Sequence, residues 1–252
     1  MSLTVVWGIE PLGLDRANGP TMDGWRKMLE QPGFRRTLLI GSSGGIGQAL
    51  ADVLQGTDLT TLSRSETGLD LLDEASLQSA ARKLSGTYDL IFDATGGLSI
   101  DGSTPEKALS QISPAQFAAQ FALNATGPAL LLKHFGPLMP REGRAVFATL
   151  SARVGSIGDN RLGGWVSYRA SKAALNQIVR TAAVELARRN PQSIVVALHP
   201  GTVRTPLTER YLARHPAVPP AEAAANLVNV VSALGPEHSG GFYDYGQRQI
   251  PW

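Results

Sequence analysis

Tyr168 and Lys172 lie four positions apart in a segment with the sequence SYRASKAAL (residues 167–175). Residues at this spacing lie one above the other on the same face of a helix. A lysine ammonium beside a phenol favours the phenolate, so we expect Lys172 to lower the pKa of Tyr168 from about 10 toward the working pH. Such a phenol can donate and accept a proton during a reaction. Because the same spacing also arises by chance on solvated helices, the other motifs of the chain decide what it means.

A glycine-rich segment, residues 40–47 with the sequence IGSSGGIG, follows an apolar run and opens a helical pattern. Glycines in that position permit a tight turn and a close approach of backbone N–H groups to a diphosphate at a helix N-terminus. The spacing of Gly41, Gly45 and Gly47 is G-x-x-x-G-x-G rather than the usual G-x-G-x-x-G, and a plain turn is the alternative. The place of the segment between strand and helix favours a dinucleotide-binding loop.

The next apolar run ends at Leu62 and is followed by Ser63 and Arg64. An acidic side chain there would accept a hydrogen bond from the ribose 2′-hydroxyl of NAD, whereas arginine pairs with the additional phosphate of NADP. Ser63 and Arg64 therefore favour NADP, and a solvated loop arginine is the alternative. Asp70, a few residues later, is placed near the adenine or else serves as a turn or cap residue.

From residue 37 onward, short apolar runs alternate with longer helical patterns. Most of these runs are apolar on successive residues, as in strands that are covered on both faces. The alternation predicts an α/β fold, a Rossmann-like doubly wound parallel sheet in a single domain. Strands are expected at 37–40, 59–62, 89–92, 144–150, 193–198 and 241–245, with a very short one at 69–71. Helices are expected at 45–54, 75–84, 114–135, 166–190 and 220–234.

The composition limits the possible partners and location. The 252 residues are 43% hydrophobic and 17% charged, with a net charge of +2, which fits one large globular domain or two small ones. No long Lys/Arg run indicates nucleic acid, and no apolar stretch reaches the roughly 18 residues of a membrane span. Absent cysteines exclude disulfides and thiolate metal sites, and we expect no metal. We expect a cytoplasmic protein with an irregular N-terminal extension at 1–36 and a cofactor-binding domain at 37–252.

Pro128 lies inside the predicted helix 114–135. Proline has no N–H to donate to the carbonyl four residues back, which belongs to Asn124. We therefore expect an interruption that frees a main-chain acceptor at Asn124, suited to hold an active-site water. An ordinary kink is the alternative.

Together these segments resemble the short-chain dehydrogenase/reductase family, in the right order, over residues 37–252. Residues 93–96, Asp-Ala-Thr-Gly, stand where that family commonly has Asn-Asn-Ala-Gly, and residues 200–205, PGTVRT, resemble its segment that contacts nicotinamide and diphosphate. The segments SARVGSI (151–157) and GGFYDY (240–245), with Pro251 and Trp252 at the end, are similar to the C-factor and sniffer-type carbonyl reductase branch. The family order of about seven strands would be 3-2-1-4-5-6-7.

The resemblance implies a catalytic set of Asn124, Ser151, Tyr168 and Lys172. It implies reduction of an aldehyde or ketone to an alcohol, or the reverse, with Ser151 bonded to the substrate oxygen and Tyr168 transferring the proton. Lys172 would also bind ribose, and Asn124 would hold a water that resupplies the proton. The residues expected at the cofactor, besides Tyr168 and Lys172, are Gly41, Ser42, Ser43, Gly45, Ile46, Gly47, Ser63, Arg64, Asp70, Leu71, Ala94, Thr95, Gly96, Pro200, Gly201, Val203 and Thr205.

Several alternatives stay open. NAD is the alternative cofactor, because Gly44 stands where many NADP-preferring relatives carry a basic residue. A non-catalytic NADP-binding regulator on the same fold is the alternative function, and epimerases of the longer family branch share the Tyr-x-x-x-Lys pattern. The segment 206–220 is expected to form a lid that selects the small-molecule substrate. The family habit of pairing helices between subunits implies a homodimer or homotetramer.

Overall fold

The computed structural model describes residues 33–100, 102–206, 208–209 and 217–252. The predicted N-terminal extension therefore lies almost wholly outside the described residues, as does the larger part of the predicted lid. The strands are β1 (Arg36–Ile40), β2 (Asp58–Leu62), β3 (Leu90–Asp93), β4 (Ala145–Leu150), β5 (Ser193–His199) and β6 (Phe242–Asp244). They form one sheet in the order β2-β1-β3-β4-β5-β6, and every neighbouring pair is parallel.

Burial explains why successive residues of the central strands are apolar. All six residues of β4 and all four of β3 are buried, because helices cover both faces of the parallel sheet. Side chains of alternate residues point to opposite faces, so a strand in this position needs apolar residues throughout. The predicted doubly wound α/β fold is confirmed.

The helices are α1 (Gly45–Val53), α2 (Glu74–Lys83), α3 (Pro114–Phe121), α4 (Gly127–Phe135), α5 (Val166–Arg189) and α6 (Pro220–Ala233). A single-turn helix, Arg64–Thr67, follows β2. Each longer helix begins and ends within a residue or so of its prediction, except that 114–135 is divided by a π-helical segment, Ala122–Thr126. α1 packs against α6, while α5 packs against α3 and β5. No helix of the described ranges is long and apolar enough to cross a membrane.

The short strand expected at 69–71 is not formed, so the prediction of about seven strands is wrong by one within the described residues. The Asp70 carboxylate accepts a hydrogen bond from the backbone N–H of Leu72 at 2.9 Å, which closes a local turn. The backbone of Asp70 is bonded to the Ser76 hydroxyl at 3.0 Å. A backbone satisfied locally has no need of a strand partner, and the sheet ends at β2. The order of the remaining strands is the predicted one with that edge strand removed.

Strand register brings five chain segments to one edge of the sheet. The last residues of neighbouring strands face one another, with Ile40 opposite both Leu62 and Asp93, and Leu150 opposite Leu198. The segments that leave these carboxyl ends begin at Gly41, Ser63, Ala94, Ser151 and Pro200. Ligands of doubly wound sheets bind outside the carboxyl ends of the strands. The candidate residues at the starts of these five segments therefore lie at the edge where chemistry is expected.

Candidate active site

The glycine loop between β1 and α1 is closed so tightly that side chains are excluded. Gly41 has φ +89°, in the region that favours glycine. A Cβ on Gly47 would lie 2.0 Å from the Gly41 carbonyl oxygen, and one on Gly45 would lie 2.8 Å from the Thr205 methyl. Gly44 differs, since its Cβ would meet the Gly41 oxygen at an ordinary 3.5 Å. The loop thus brings bare backbone to the N-terminus of α1, which fits the cradling of an anion.

A carboxylate lies between the glycine loop and the end of β2. The hydroxyls of Ser42 and Ser63 both donate to Glu66 Oε2, at 3.1 and 3.0 Å. Ser63 also caps the single-turn helix by accepting from the Glu66 N–H at 3.2 Å. Sequence reasoning placed both serines at the cofactor but overlooked Glu66, although the spacing S-x-x-E of a capping box could have indicated it. Arg64 is exposed in the same helical turn.

The altered segment after β3 rebuilds its scaffold with different groups. Asp93 is fully buried and accepts hydrogen bonds from the Thr95 N–H at 2.9 Å, the Thr95 hydroxyl at 2.5 Å and the Thr149 hydroxyl at 2.6 Å. Burial raises the pKa of the Asp93 carboxyl, against the hydrogen bonds of Thr149 and Thr95, which lower it. Thr149 lies on the neighbouring strand β4, directly opposite Asp93 in the register. These hydrogen bonds hold the Asp-Ala-Thr-Gly segment in place, although its residues differ from Asn-Asn-Ala-Gly.

Asn124 lies in the π-helical segment, at the interruption that Pro128 predicted. Its buried side chain accepts from the Gly97 N–H at 3.0 Å and donates to the Gly97 carbonyl at 2.8 Å. A Cβ on Gly96 would lie 3.0 Å from Asn124 Oδ1 and 3.2 Å from Lys172 Nζ. Asn124 Oδ1 and Lys172 Nζ therefore lie close together, both at the face of Gly96 where a side chain would project. π segments of this kind are frequent at functional sites.

Lys172 anchors the Tyr168 face of α5 to the end of β4. Its Nζ donates to the Leu150 carbonyl at 2.8 Å, directly before Ser151. Gly155 permits this approach, because a Cβ there would lie 2.7 Å from the Cβ of Lys172. Tyr168 stands one turn earlier on the same helix, with the Trp165 ring edge-to-face at 6.3 Å between centroids. The structure therefore brings three of the four expected catalytic residues to one place, with Asn124 next to Lys172.

The electrostatics differ from the sequence expectation at Tyr168. Burial raises the pKa of the Tyr168 phenol above its ordinary value, whereas we expected Lys172 to lower it. Burial also lowers the pKa of Lys172 to about 8, with the Asp93 charge acting in the opposite direction. Desolvation disfavours whichever form is charged, so a partly buried phenol beside a buried amine keeps its proton. Near neutral pH, Tyr168 is consequently a proton donor.

Ser151 is held by a residue that sequence reasoning missed. Its hydroxyl donates to Asn176 Oδ1 at 2.7 Å, and its N–H donates to the Leu198 carbonyl at 2.8 Å. The amide nitrogen of Asn176 donates to the Gly155 carbonyl at 3.4 Å. Asn176 follows Lys172 by four residues and Tyr168 by eight. The same helical spacing that identified the pair could therefore have found it.

The segment after β5 closes the edge above the glycine loop. Gly201 has φ +77°, and a Cβ there would lie 2.9 Å from the Tyr245 ring. Val203 is buried and bridges to Val218, and Thr205 contacts Gly45. The predicted lid that follows includes residues 207 and 210–216, which lie outside the described residues.

Two histidines and one aspartate that the sequence singled out lie in surroundings that fit a structural role. Burial lowers the pKa of His199 to about 4, assisted by Arg153, so the ring is neutral near pH 7. His134 lies on α4, and its Nε2 is 3.0 Å from Oε1 of Glu74 on α2, away from the carboxyl edge of the sheet. Asp70, as described above, closes a turn, the alternative that its sequence left open.

The chain is similar to curated proteins over most of its length. A family model described as enoyl-(acyl carrier protein) reductase matches residues 43–233. The chain is 34% identical over 145 residues to the C-signal of Myxococcus xanthus, which covers 58% of this chain and 84% of that protein. It is 30% identical over 232 residues to 1-hydroxy-2-glutathionyl-2-methyl-3-butene dehydrogenase of Rhodococcus sp. (strain AD45), covering 85% of this chain and 98% of that enzyme.

Solved structures show the same fold. The carbonyl reductase Sniffer of D. melanogaster superposes with a TM-score of 0.72 at 21% identity, covering 86% of this chain and 99% of that one. A short-chain dehydrogenase/reductase from Burkholderia multivorans, solved with bound NADP, gives a TM-score of 0.70 at 25% identity, covering 87% and 100%.

A doubly wound parallel sheet with a glycine loop at its carboxyl edge defines a Rossmann-like α/β protein. The match over residues 43–233 and the likeness to a dehydrogenase across nearly its full length show that the chain belongs to the short-chain dehydrogenase/reductase family. It is an oxidoreductase of that family. The resemblance to this family stated from the sequence is confirmed.

Proposed function

We propose that this protein is an NADP(H)-dependent oxidoreductase that interconverts a small aldehyde or ketone and its alcohol, with residues 37–252 as the cofactor-binding domain. The observation that carries this proposal is the attachment of α5 to the end of β4. The Lys172–Leu150 hydrogen bond sets the Tyr168 face of the helix against Ser151, at the edge where the glycine loop also opens.

The residues at that edge fit a nicotinamide dinucleotide. Added Cβ atoms at Gly41, Gly45 and Gly47 would meet backbone or Thr205 at 3.0 Å or less, so the loop is shaped for contact with bare backbone. The diphosphate would be held there and the ribose near Lys172, while Arg64 would pair with a 2′-phosphate. The 25%-identical Burkholderia protein, solved with NADP, supports this cofactor. When bound, the cofactor supplies or accepts the hydride.

The protein's own groups handle the proton and the oxygen. The raised pKa of Tyr168 keeps the phenol protonated, ready to protonate a substrate oxygen as negative charge develops there. Ser151 contacts the same oxygen and orients it. Lys172 lies one helical turn after Tyr168 and feels the charge of Asp93, and its pKa of about 8 allows it to exchange protons near neutral pH. Asn124 would pass protons from solvent by holding a water at its main-chain carbonyl.

The test is oxidation of NADPH, followed by absorbance, across a broad panel of aldehydes and ketones. We expect the native protein to turn over at least one of them and Tyr168→Phe to lose about 10²- to 10⁴-fold in rate, with NADP(H) binding nearly unchanged. Ser151→Ala should lower the rate with little effect on cofactor affinity. Near-native turnover by Tyr168→Phe would show that the proposed relay is wrong.

A non-catalytic NADP-binding regulator is the second candidate, favoured by the 34% identity to a protein named C-signal. The same experiment separates the two. Tight cofactor binding without turnover of any carbonyl or alcohol would support the regulator, whereas turnover that depends on Tyr168 supports the enzyme.

A further inference from the structure

We propose that Asn176 is a positioning residue that fixes the hydroxyl of Ser151 and so sets how this serine meets the substrate oxygen. The inference rests on the proposed function and deepens it. The residue lies on α5, on the same helical face as Tyr168 and Lys172, and touches neither the expected cofactor edge nor the reacting atoms. We expect its effect on the reaction to pass through Ser151, because its other hydrogen-bond partner, the Gly155 carbonyl, is not an expected site residue.

The direction of the hydrogen bond follows from the second partner of the amide. The Asn176 Nδ2 faces the Gly155 carbonyl, and a carbonyl can only accept. The amide oxygen therefore faces Ser151, and because an amide oxygen can only accept as well, Ser151 must be the donor in the 2.7 Å contact. Turning the amide over would set its oxygen against the Gly155 oxygen.

Both partners are shielded from water. Asn176 is 2% exposed and Ser151 is 4% exposed, so solvent does not compete for the serine hydrogen. In the resting protein that hydrogen points to Asn176, and the lone pairs of Ser151 Oγ remain for other contacts. To donate to a carbonyl oxygen, the hydroxyl must turn away from Asn176. To accept from an alcohol, it need not move. Asn176 thus sets the orientation of the Ser151 hydroxyl, which would otherwise rotate freely.

The surroundings allow Asn176 to be shortened. Asn176 and Gly155 line a cavity of about 580 Å³ between α5 and the C-terminal segment, lined also by Gln177, Arg180 and Tyr243. The space left by a smaller side chain is continuous with this cavity and can be hydrated. We therefore expect Asn176→Ala to fold, and Asn176→Ser, too short to reach Ser151, takes its place if it does not.

The experiment is a double-mutant cycle with Asn176→Ala, Ser151→Ala and the double variant, assayed on a carbonyl that the native protein reduces. Asn176→Ala should raise kcat/KM about 5- to 30-fold, because the serine hydroxyl no longer breaks a neutral hydrogen bond to Asn176 before it donates to the carbonyl oxygen, with the dissociation constant of NADPH unchanged. In the Ser151→Ala background the same substitution should change kcat/KM less than twofold, because its only route to the substrate is gone.

Asn190→Ala is the matched control. Asn190 is also a buried asparagine at α5, and its amide donates to the carbonyls of Pro140 and Gly143, outside the site. It should lower the unfolding temperature but leave kcat/KM within twofold. A loss of activity in Asn176→Ala, an equal change in both backgrounds, or the same change in Asn190→Ala would overturn the inference. If the native protein turned over no carbonyl or alcohol at all, the proposed function itself would fail, which is a different result.

Discussion

At the scale of single residues, burial decides the chemistry of this site. Lys172 was expected to lower the pKa of the Tyr168 phenol. Instead the pKa of Tyr168 rises and that of Lys172 falls, so that each group favours its neutral form. The cause is that both groups lose water when α5 packs on the end of β4. Asp93, likewise buried, partly opposes this at Lys172.

The lowered pKa of Lys172 makes its contribution to stability depend on pH. Its pKa falls from 10.5 in the ordinary state to about 8 in the fold. Between those values the unfolded chain binds more protons than the folded one, so stability rises with pH in that window. The free energy of unfolding of the native protein, relative to Lys172→Met, should therefore increase from pH 8 to pH 10 in urea denaturation. A difference that stays constant would contradict the burial of a charged amine.

Cofactor preference is a second residue-scale prediction. Arg64 is expected to pair with the 2′-phosphate, a contact worth roughly ten- to a hundredfold in affinity. NADP(H) should thus bind more tightly than NAD(H), and Arg64→Ala should remove most of that preference in fluorescence titrations. Asp52→Asn, an exposed carboxylate on α1, is the control.

Glu66 works against Arg64 in the same turn. Its carboxylate holds the two serine hydroxyls beside the glycine loop, and a 2′-phosphate there would meet a like charge. Glu66→Gln should therefore strengthen NADP(H) binding and leave NAD(H) unchanged. Equal dissociation constants for both cofactors in the native protein would contradict the assignment of Arg64 to the 2′-phosphate.

At the scale of elements, the glycine loop separates a demanding position from a tolerant one. A Cβ at Gly47 would overlap the Gly41 carbonyl at 2.0 Å, whereas one at Gly44 would make ordinary contact at 3.5 Å with φ −75°. Gly47→Ala should abolish cofactor binding and lower the unfolding temperature, while Gly44→Ala should leave both nearly unchanged. Calorimetry and NADPH titration of the two variants check this, and equal behaviour would mean that the loop opens.

At the scale of the whole molecule, we predict a homodimer or homotetramer built on α5. Leu175, Val179 and Ala183 are buried in the core of the chain itself, so this stripe belongs to the fold. Val184 is 49% exposed on another face of the same helix. Light scattering at micromolar concentration should give a multiple of the 26.7 kDa chain mass, and a single chain mass would reject the prediction.

The sequence by itself determined the elements and their order. Continuous apolar runs identify strands buried on both faces, and the helices begin and end close to their predicted positions, because both patterns depend on local periodicity. Pro128 indicated a released main-chain acceptor at Asn124 for the same reason, since a missing N–H is a local property, but the π segment itself is a finding of the structure. The Tyr168–Lys172 pair and the glycine loop follow from spacing along the chain, whereas Asn124 and Ser151 entered the expected catalytic set through the family resemblance.

Tertiary structure decided what depends on neighbours distant in sequence. Asp70 closes a turn with Leu72 instead of continuing a strand, since its backbone is satisfied locally and by Ser76. The direction of the Tyr168 pKa depends on how much water α5 excludes, which no spacing reveals. Ser151 and Asn176 are 25 residues apart and meet because α5 packs on the end of β4. Desolvation and long-range hydrogen bonding arise only when the chain is folded, and they set the chemistry of the residues that the sequence had identified.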